Sequence, residues 1–506
     1  MVSSRDMLTG RKGAFRNLGR VLVLGLGKSG KAAARYCADL LGARVEELFV
    51  AAGARTDDAV AFVGGLPVSV EHVRFGDDAV EALAACADGR FDLCIASPGI
   101  PSFAPLYTAG TKMSAEIIGE VEFAWRESRL ESRWVAVTGT NGKTTTTALT
   151  AHLLVEAGVR AHAVGNIGDT CLEAVAADDV DVYVAEVSSY QLASLARFAP
   201  NAAVVLNITP DHLHWHRTFE AYRDAKLHLL ANLGAVEEGV AVLGATDEVV
   251  RAEVRRLRAL DVSERGFAYV PVGTKAGLSG DMRAACGSEN AAFVDERGGL
   301  RVALKGTDYL LGNASDLQVK GDHNVGNALS AAACALALGA EPARVSTALR
   351  TFAPLEHRVE PCGEVAGVSF VNDSKATNVD ATVHALSSFA PARPVVLLGG
   401  DDKGTDLAAL VESAHAHARV VVCFGGARDR FSAAFAAACS EAPPDFQVEE
   451  AASLAEAFER AVSLARPGDT VLLSPASASF DEFPSFAARG DAFKGLVSAL
   501  CARTGA

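Results

Sequence analysis

No stretch of about 18 consecutive apolar residues occurs in the 506-residue chain, so no membrane-spanning helix is expected. The basic residues Arg5, Arg11, Lys12, Arg16 and Arg20 precede the apolar run Val21 to Leu26. Gly27 and Lys28 end that run after six residues, too soon for the core of a secretory leader. CxxC pairs are missing: of the ten cysteines, from Cys37 to Cys501, the closest two (Cys86 and Cys94) lie eight apart. That spacing excludes a zinc ribbon or a disulfide scaffold, and reduced, mostly buried thiols of a cytoplasmic protein are expected. Positive charge is not in surplus either, because 47 Lys and Arg against 62 Asp and Glu give a formal net charge of -15. Nucleic acid and an anionic membrane surface are therefore poor partners, whereas a phosphorylated small molecule needs only a few placed cations. Low-complexity tracts are absent. With 50% hydrophobic and 22% charged residues the chain can bury several cores, and two to four domains are expected.

One grammar recurs three times: a short aliphatic run, a glycine-rich turn, then a stretch with helical period, as in parallel βαβ units. It appears as Arg20-VLVLGLGKSG into 31–41, Trp134-VAVTGTNGKT into 145–157, and Pro394-VVLLGGDDKG into 407–418. The further strand Leu93-CIASPGI ends in a Pro-Gly turn, and Pro354 breaks a helical pattern. These marks predict an α/β chain of three domains over 1–132, 133–355 and 356–506. The first and last are expected to be Rossmann-like, and the central one P-loop-type with a mostly parallel sheet. Residues 262–316, rich in glycine and polar side chains, read as short strands and surface loops.

Thr138-Gly-Thr-Asn-Gly-Lys-Thr-Thr145 follows a strand and opens a helix. Backbone N–H groups and a helix N-terminus would surround an anion there, with Lys143 as a point charge on phosphates and Thr144 as a magnesium ligand. The general phosphate-loop rule asks for four residues between its glycines, yet only Thr140 and Asn141 separate Gly139 from Gly142; an incidental Gly turn is the bland alternative. Downstream strands end in acids at Glu186 and Asp211, the latter followed by His212. Ligands of open α/β sheets sit beyond the carboxyl ends of the strands, so these groups can converge on one crevice, and hard oxygen ligands suit Mg²⁺. His214 and His216 lack the i, i+4 spacing of a zinc helix and read as surface or packing residues. Lys226, by its own pattern, reads as a solvated helix residue.

Five ordered segments, Thr138-GTNGKTT, Gly165-NIG, Glu186-VSSYQL, Asn207-ITPDHLH and Phe219-EAYRDAK, resemble the ATPase domain of the Mur ligases, where the short phosphate loop is usual. The resemblance implies ATP, two Mg²⁺ ions and a CO₂-derived carbamate on Lys226 that serves as a metal ligand beside Thr144, Glu186 and His212. It implies ATP binding by Gly139, Thr140, Asn141, Gly142, Lys143, Thr144 and Thr145. Gly321-DHNVGNALSAAA resembles the family's GxHNxxNxxAA segment, with Asn324 and Asn327 near adenine, although helix propensity explains the Ala run equally well. Glu356-His-Arg stands where relatives show Pro-His-Arg, and Arg358 is the implied γ-phosphate clamp.

Val371-NDSKATN, Gly399-GDDKG and Leu473-SPASASFDEF with Arg489-GDAF resemble the members of the family that add D-glutamate. A dianionic amino acid needs cations and hydroxyl donors, since an unpaired buried carboxylate is costly. The resemblance assigns Lys375, Thr377, Lys403, Ser479 and the amide face near Phe486 to D-glutamate, with Lys375 alternatively reaching the transferred phosphate. The first domain's Gly25-Leu-Gly-Lys-Ser-Gly30 taken alone would suggest a dinucleotide and a redox or regulatory role. Beside the family it resembles a uridine-diphosphate loop, with Ser97-Pro-Gly99 as second wall. Gly27, Lys28, Ser29, Gly99, Asn166 and His212 are the implied contacts of the UDP-linked substrate; Glu46 and Glu47 stand where a ribose contact would, but none is assigned. The implied reaction is ATP-dependent amide formation between UDP-N-acetylmuramoyl-L-alanine and D-glutamate through an acyl phosphate. Lys143, Lys226, His212, Arg358 and Lys375 would be catalytic, in a monomer whose hinged closure excludes water.

Overall fold

A computed structural model of the chain describes residues 7–86, 89–274, 289–319, 321–353, 355–402, 404–438 and 442–504, apart from the side chains of residues 214 and 262. Lys403, Pro354, the His214 side chain and residues 275–288 of the polar segment lie outside the described residues.

The chain is α/β, and among the described residues its strands form three sheets. The first contains β1 (Gly19–Leu24), β2 (Val45–Ala52), β3 (Val73–Phe75), β4 (Phe91–Ala96) and β5 (Ser114–Gly119) in the order β3-β2-β1-β4-β5, all parallel. Val21 to Leu24 are fully buried, as a parallel strand covered on both faces requires. The order reverses at β1, so the turns after β1 and β4 share one crevice.

The second sheet contains β6 (Arg133–Thr138), β7 (Ala161–Gly165), β8 (Val182–Glu186), β9 (Ala202–Val205), β10 (Val240–Gly244), β11 (Ala268–Val272), β12 (Ala291–Val294), β13 (Gly299–Leu304) and β14 (Thr307–Asn313). Its order is β14-β13-β12-β11-β10-β9-β6-β8-β7, parallel from β7 to β12 and antiparallel through the last two pairings. β6 lies between β8 and β9, which sets the loop after β6 between the ends of two strands that carry polar groups. The expected short strands of 262–316 are β11 to β14; Leu300 and Val302 are buried, so part of this segment belongs to the core.

The third sheet contains β15 (Glu360–Val365), β16 (Val368–Asn372), β17 (Val395–Gly399), β18 (Val420–Phe424), β19 (Gln447–Ala451) and β20 (Thr470–Leu473), ordered β15-β16-β20-β17-β18-β19. Only β15 is antiparallel to its neighbour. The carboxyl ends of β16, β20 and β17 are adjacent, so the loops after them gather at one edge.

The helices after the three glycine turns run Lys28–Asp39, Lys143–Glu156 and Ala408–His417, within three residues of the sequence expectation. The first two sheets fall into one compact unit, Met1–Asp316 with Gly326–Arg350; the third falls into a second, Leu317–Val325 with Thr351–Ala506. Among the described residues no helix is long and apolar enough to cross a membrane.

Candidate functional site

The loop between β6 and the helix Lys143–Glu156 is shaped by two devices. Gly142, at φ 83°, provides the left-handed residue that starts the helix, and a Cβ there would sit 2.5 Å from Asn327 Oδ1. The left-handed backbone favours glycine, and a side chain there would also push the Asn327 amide aside. Asn207, just past β9, grips the loop from the side: the Asn141 N–H donates to Asn207 Oδ1 (2.8 Å), Asn207 Nδ2 donates to the Asn141 carbonyl (3.1 Å), and the Thr140 N–H donates to the Asn207 carbonyl (2.9 Å). The Thr140 hydroxyl donates to the Thr209 carbonyl (3.1 Å), accepts from the Thr209 N–H (3.0 Å) and pairs with the Tyr222 hydroxyl (2.8 Å). Thr140 and Asn141 therefore shape the loop. Lys143 Nζ donates to the carbonyls of Gly139 (2.8 Å) and Thr140 (2.7 Å), so its charge is held over the turn.

Lys226 corrects the reading of a solvated helix residue. It is 2% exposed on the helix Phe219–Leu227, its Nζ donates to the Gly139 carbonyl (2.7 Å), and the charge lies 4.7 Å from the centre of the Tyr222 ring. Burial first, and then the Lys143 charge, hold this amine far below the ordinary lysine range, against the opposite pull of Asp211 and Glu186. Lys143, Asp211 and Glu186 are thus each within electrostatic reach of Lys226. Glu186 ends β8 opposite Val137 of β6 and is 1% exposed. Its Oε1 accepts from Asn166 Nδ2 (3.0 Å), while its Oε2 has no hydrogen-bond partner. A buried carboxylate oxygen left open beside a phosphate loop fits a hard divalent cation. Among the described residues no group of three or more His, Cys, Asp or Glu side chains could hold a metal. A magnesium site would therefore need Thr144, His212 or substrate oxygens beside Glu186.

His212 takes a left-handed backbone (φ 55°), rare for a residue with a side chain, at the start of the single turn Leu213–His216. Its N–H donates to Asp211 Oδ1 (2.8 Å), and its ring lies 4.9 Å from that of Tyr190. His216 is a packing residue: it is buried, 2.9 Å from the Ser189 hydroxyl and edge-on to Tyr222.

In the first sheet, a Cβ on Gly30 would meet the Gly25 carbonyl at 1.9 Å, so the turn after β1 closes only around glycine. Gly27, Lys28 and Ser29 open the following helix, and Gly99 is exposed beyond β4. Lys28 Nζ donates to the Gly168 carbonyl, which joins this turn to the 165–168 loop that carries the exposed Asn166. Asn166 is fixed at both ends by Glu186, whose carbonyl accepts the Asn166 N–H at 3.0 Å.

In the second unit, Asn324, in the first turn of the helix Asp322–Ala337, is buried. Arg358 acts electrostatically on both His323 and Asp373. Burial raises the Asp373 carboxyl to about 7, against the Ser474 hydroxyl, Arg358 and the Val359 N–H. The Glu356 departure from the family pattern lies on the surface, 3.2 Å from Lys494 Nζ. Lys375 Nζ stands 3.8 Å over the Phe486 ring, Thr377 follows within the same turn, and Ser479 is buried beyond β20. Arg489, fully buried, ties these loops together. It donates to the Ser374 hydroxyl (3.0 Å) and to the carbonyls of Ser374 (2.9 Å), Ala478 (2.8 Å) and Ser477 (3.1 Å). Burial lowers its guanidinium to about 10 against Asp481 and Glu482. Sequence reasoning quoted Asn207, Tyr222 and Arg489 inside motifs but gave them no role. The available signal was that each lies at a strand end or helix start facing a glycine turn.

Family models described as Mur ligase middle domain and as Mur ligase, glutamate ligase domain match residues 137–335 and 357–477. Proteins named UDP-N-acetylmuramoylalanine--D-glutamate ligase are similar along most of the chain. That of Streptomyces coelicolor is 37% identical, with 95% of this chain and 98% of its own covered. That of Alkaliphilus metalliredigens is 38% identical, with 81% and 84% covered. In fold the chain is similar to a pseudomurein peptide ligase type C from Methanothermus fervidus (TM-score 0.55, 17% identity, 95% and 99% covered). A UDP-N-acetylmuramate-alanine ligase from Thermotoga maritima is comparably similar (TM-score 0.54, 18% identity, 95% and 99% covered).

Proposed function

The chain belongs to the Mur ligase family, and from that premise we propose that it is an ATP-dependent amide-bond ligase joining D-glutamate to UDP-N-acetylmuramoyl-L-alanine in peptidoglycan precursor synthesis. The observation that carries the reading is that Lys143 and Lys226 both donate to the loop 139–142, with Glu186 acting electrostatically on Lys226. The name shared by the relatives supports D-glutamate as the amino acid.

In the proposed reaction the terminal carboxylate of the UDP-linked substrate attacks the γ-phosphorus of ATP. A new O–P bond forms, the β–γ bridge breaks and ADP leaves. The uncharged amine of D-glutamate then attacks the acyl carbon, a proton leaves the nitrogen, and phosphate departs from the tetrahedral intermediate. Little covalent help is needed from the protein, whose work is positioning and charge neutralisation. Lys143 is assigned to balance phosphate charge from the loop, Arg358 to clamp the γ-phosphate, and His212, on its left-handed backbone, to the acceptor. Asn324 and Asn327 are assigned to adenine. Asn327, already packed on Gly142, also links that contact to the loop.

The depressed basicity of Lys226 favours its uncharged amine, the form that adds CO₂: an N–C bond forms, a proton leaves, and a carbamate replaces the amine. Thr144, Glu186, His212 and carbamylated Lys226 would then hold magnesium, which when bound neutralises the phosphate oxygens. Gly27, Lys28, Ser29, Gly99 and Asn166 are assigned to the UDP-linked substrate. Lys375, Thr377, Lys403, Ser479 and Phe486 are assigned to D-glutamate. The domains are proposed as 1–132, 133–355 and 356–506, in a cytoplasmic monomer.

The test is ADP release by the purified enzyme across a panel of amino acids. Release that requires both D-glutamate and the UDP-muramoyl acceptor is expected. Equal release with another amino acid, or none with D-glutamate, would reject the assignment.

A further inference from the structure

The loop after β17 places two acids, Asp401 and Asp402, directly before Lys403 in sequence. In sequence, two carboxylates thus precede the one cation assigned to this loop. Asp402 is not left as a bare charge. Arg430, from the helix Arg428–Ala437, engages it with both prongs, Nε to Oδ2 (2.6 Å) and Nη2 to Oδ1 (2.9 Å), and Nη2 also donates to the Thr405 carbonyl (2.8 Å). The Gly404 N–H completes the set on Asp402 Oδ1 (2.9 Å). Burial raises the Asp402 carboxyl, yet the Arg430 bonds, the Gly404 N–H and the Arg430 charge together hold it below its ordinary value, so it is ionised and paired.

The same loop is stitched to the strand-end loop that carries Ser479. The Asp401 N–H donates to the Ala478 carbonyl (2.9 Å), and the Ala427 N–H donates to the Gly400 carbonyl (2.8 Å) just before Arg430's helix. Arg430 thus holds residues 402 and 405, and Asp402 in turn holds the Gly404 N–H. The other acid nearby, Asp481, is engaged by the Gly426 N–H at 2.9 Å.

We infer that Arg430 is a positioning and specificity residue for the amino-acid substrate: by cancelling the Asp402 carboxylate it makes the loop after β17 electrostatically acceptable to an anionic side chain. The inference rests on the reading of that loop as part of the D-glutamate site. A bidentate Arg–carboxylate pair supplies geometry as well as charge, which an isolated surface ion pair does not. Without Arg430, the Asp402 charge would be left uncompensated in the loop after β17 and would repel an incoming carboxylate.

The experiment is steady-state kinetics on the full-length enzyme with D-glutamate varied, comparing wild type, R430Q, D402N and D402N/R430Q. R430Q should raise KM for D-glutamate about tenfold, with kcat and the KM values for ATP and the UDP-linked substrate nearly unchanged. The double variant should recover most of that loss, because it removes the repelling charge together with its partner. D402N alone should leave KM for D-glutamate equal or lower. An unshifted KM in R430Q, a double variant as weak as R430Q, or a raised KM in D402N would each overturn the inference, the last two because they assign the pair to loop geometry alone. Should R430Q fail to fold, D402N and the double variant still decide. Failure of the underlying reading looks different, because wild type itself would then release no ADP with D-glutamate.

Discussion

Lys226 Nζ donates to the carbonyl oxygen of Gly139 at 2.7 Å, across 87 residues of sequence, so a buried amine is anchored on the phosphate loop itself. An ammonium so close to Lys143 would be repelled, whereas a carbamate would be attracted. Lys226→Ala should lower kcat roughly a hundredfold or more, with little effect on KM for the UDP-linked substrate. Short carboxylic acids added to that variant should restore part of the rate, because they can fill the space of the lost anion. Unimpaired turnover by the variant would remove the carbamate from the reading.

Gly142→Ala combines a left-handed backbone with a Cβ 2.5 Å from Asn327 Oδ1. A thermal midpoint lowered by the equivalent of about 1–3 kcal/mol is expected, together with weaker ATP binding measured by calorimetry. Asn327→Ala in the same background should recover only part of the stability, since the backbone strain stays. Full recovery would trace the whole effect to the Asn327 contact.

Thr377→Ala and Ser479→Ala should each raise KM for D-glutamate by about five- to fiftyfold while the KM for ATP stays put, the cost of leaving a substrate carboxylate oxygen short of a donor. Kinetics with D-glutamate varied at saturating ATP check this, and unchanged values would remove both residues from the pocket.

The legible part of the molecule was whatever rests on local pattern. The three aliphatic runs, their glycine turns and the helices behind them needed only strand and helix periodicity, and they stand where the sequence put them. Lys226 shows where such reasoning stops. Nothing in Phe219-EAYRDAK marks that lysine as buried, because its burial comes from β6 and its loop folding against the helix from far away in sequence. Only the family resemblance pointed at it. Arg489 and Asn207 have the same explanation. Each serves by satisfying main-chain groups of distant turns, and main-chain partners leave no trace in a side-chain pattern. The fork between Arg430 and Asp402, 28 residues apart, is likewise invisible until β17 and β18 lie side by side.

Glu120 gives a pH prediction whose sign follows from its surroundings. The carboxyl is 3% exposed, its Oε1 accepts from the Leu172 N–H (2.6 Å), and its Oε2 lacks a partner. Burial raises it to about 7, opposed by the Leu172 N–H, reinforced by Glu173 and opposed again by Lys28. Its folded value thus exceeds the unfolded 4.5. The neutral form favours the fold below pH 4.5, and that contribution is lost as pH climbs towards 7, because the unfolded chain releases the proton first. Glu120→Gln keeps an acceptor for Leu172 and cannot ionise. Relative to wild type the variant should therefore gain stability between pH 5 and pH 8, by an amount of order 3 kcal/mol for a shift of this size. Thermal midpoints of both proteins across that range supply the comparison. Curves that stay parallel from pH 5 to pH 8 would mean that Glu120 is ionised in the folded protein throughout, with Lys28 and the Leu172 N–H outweighing its burial.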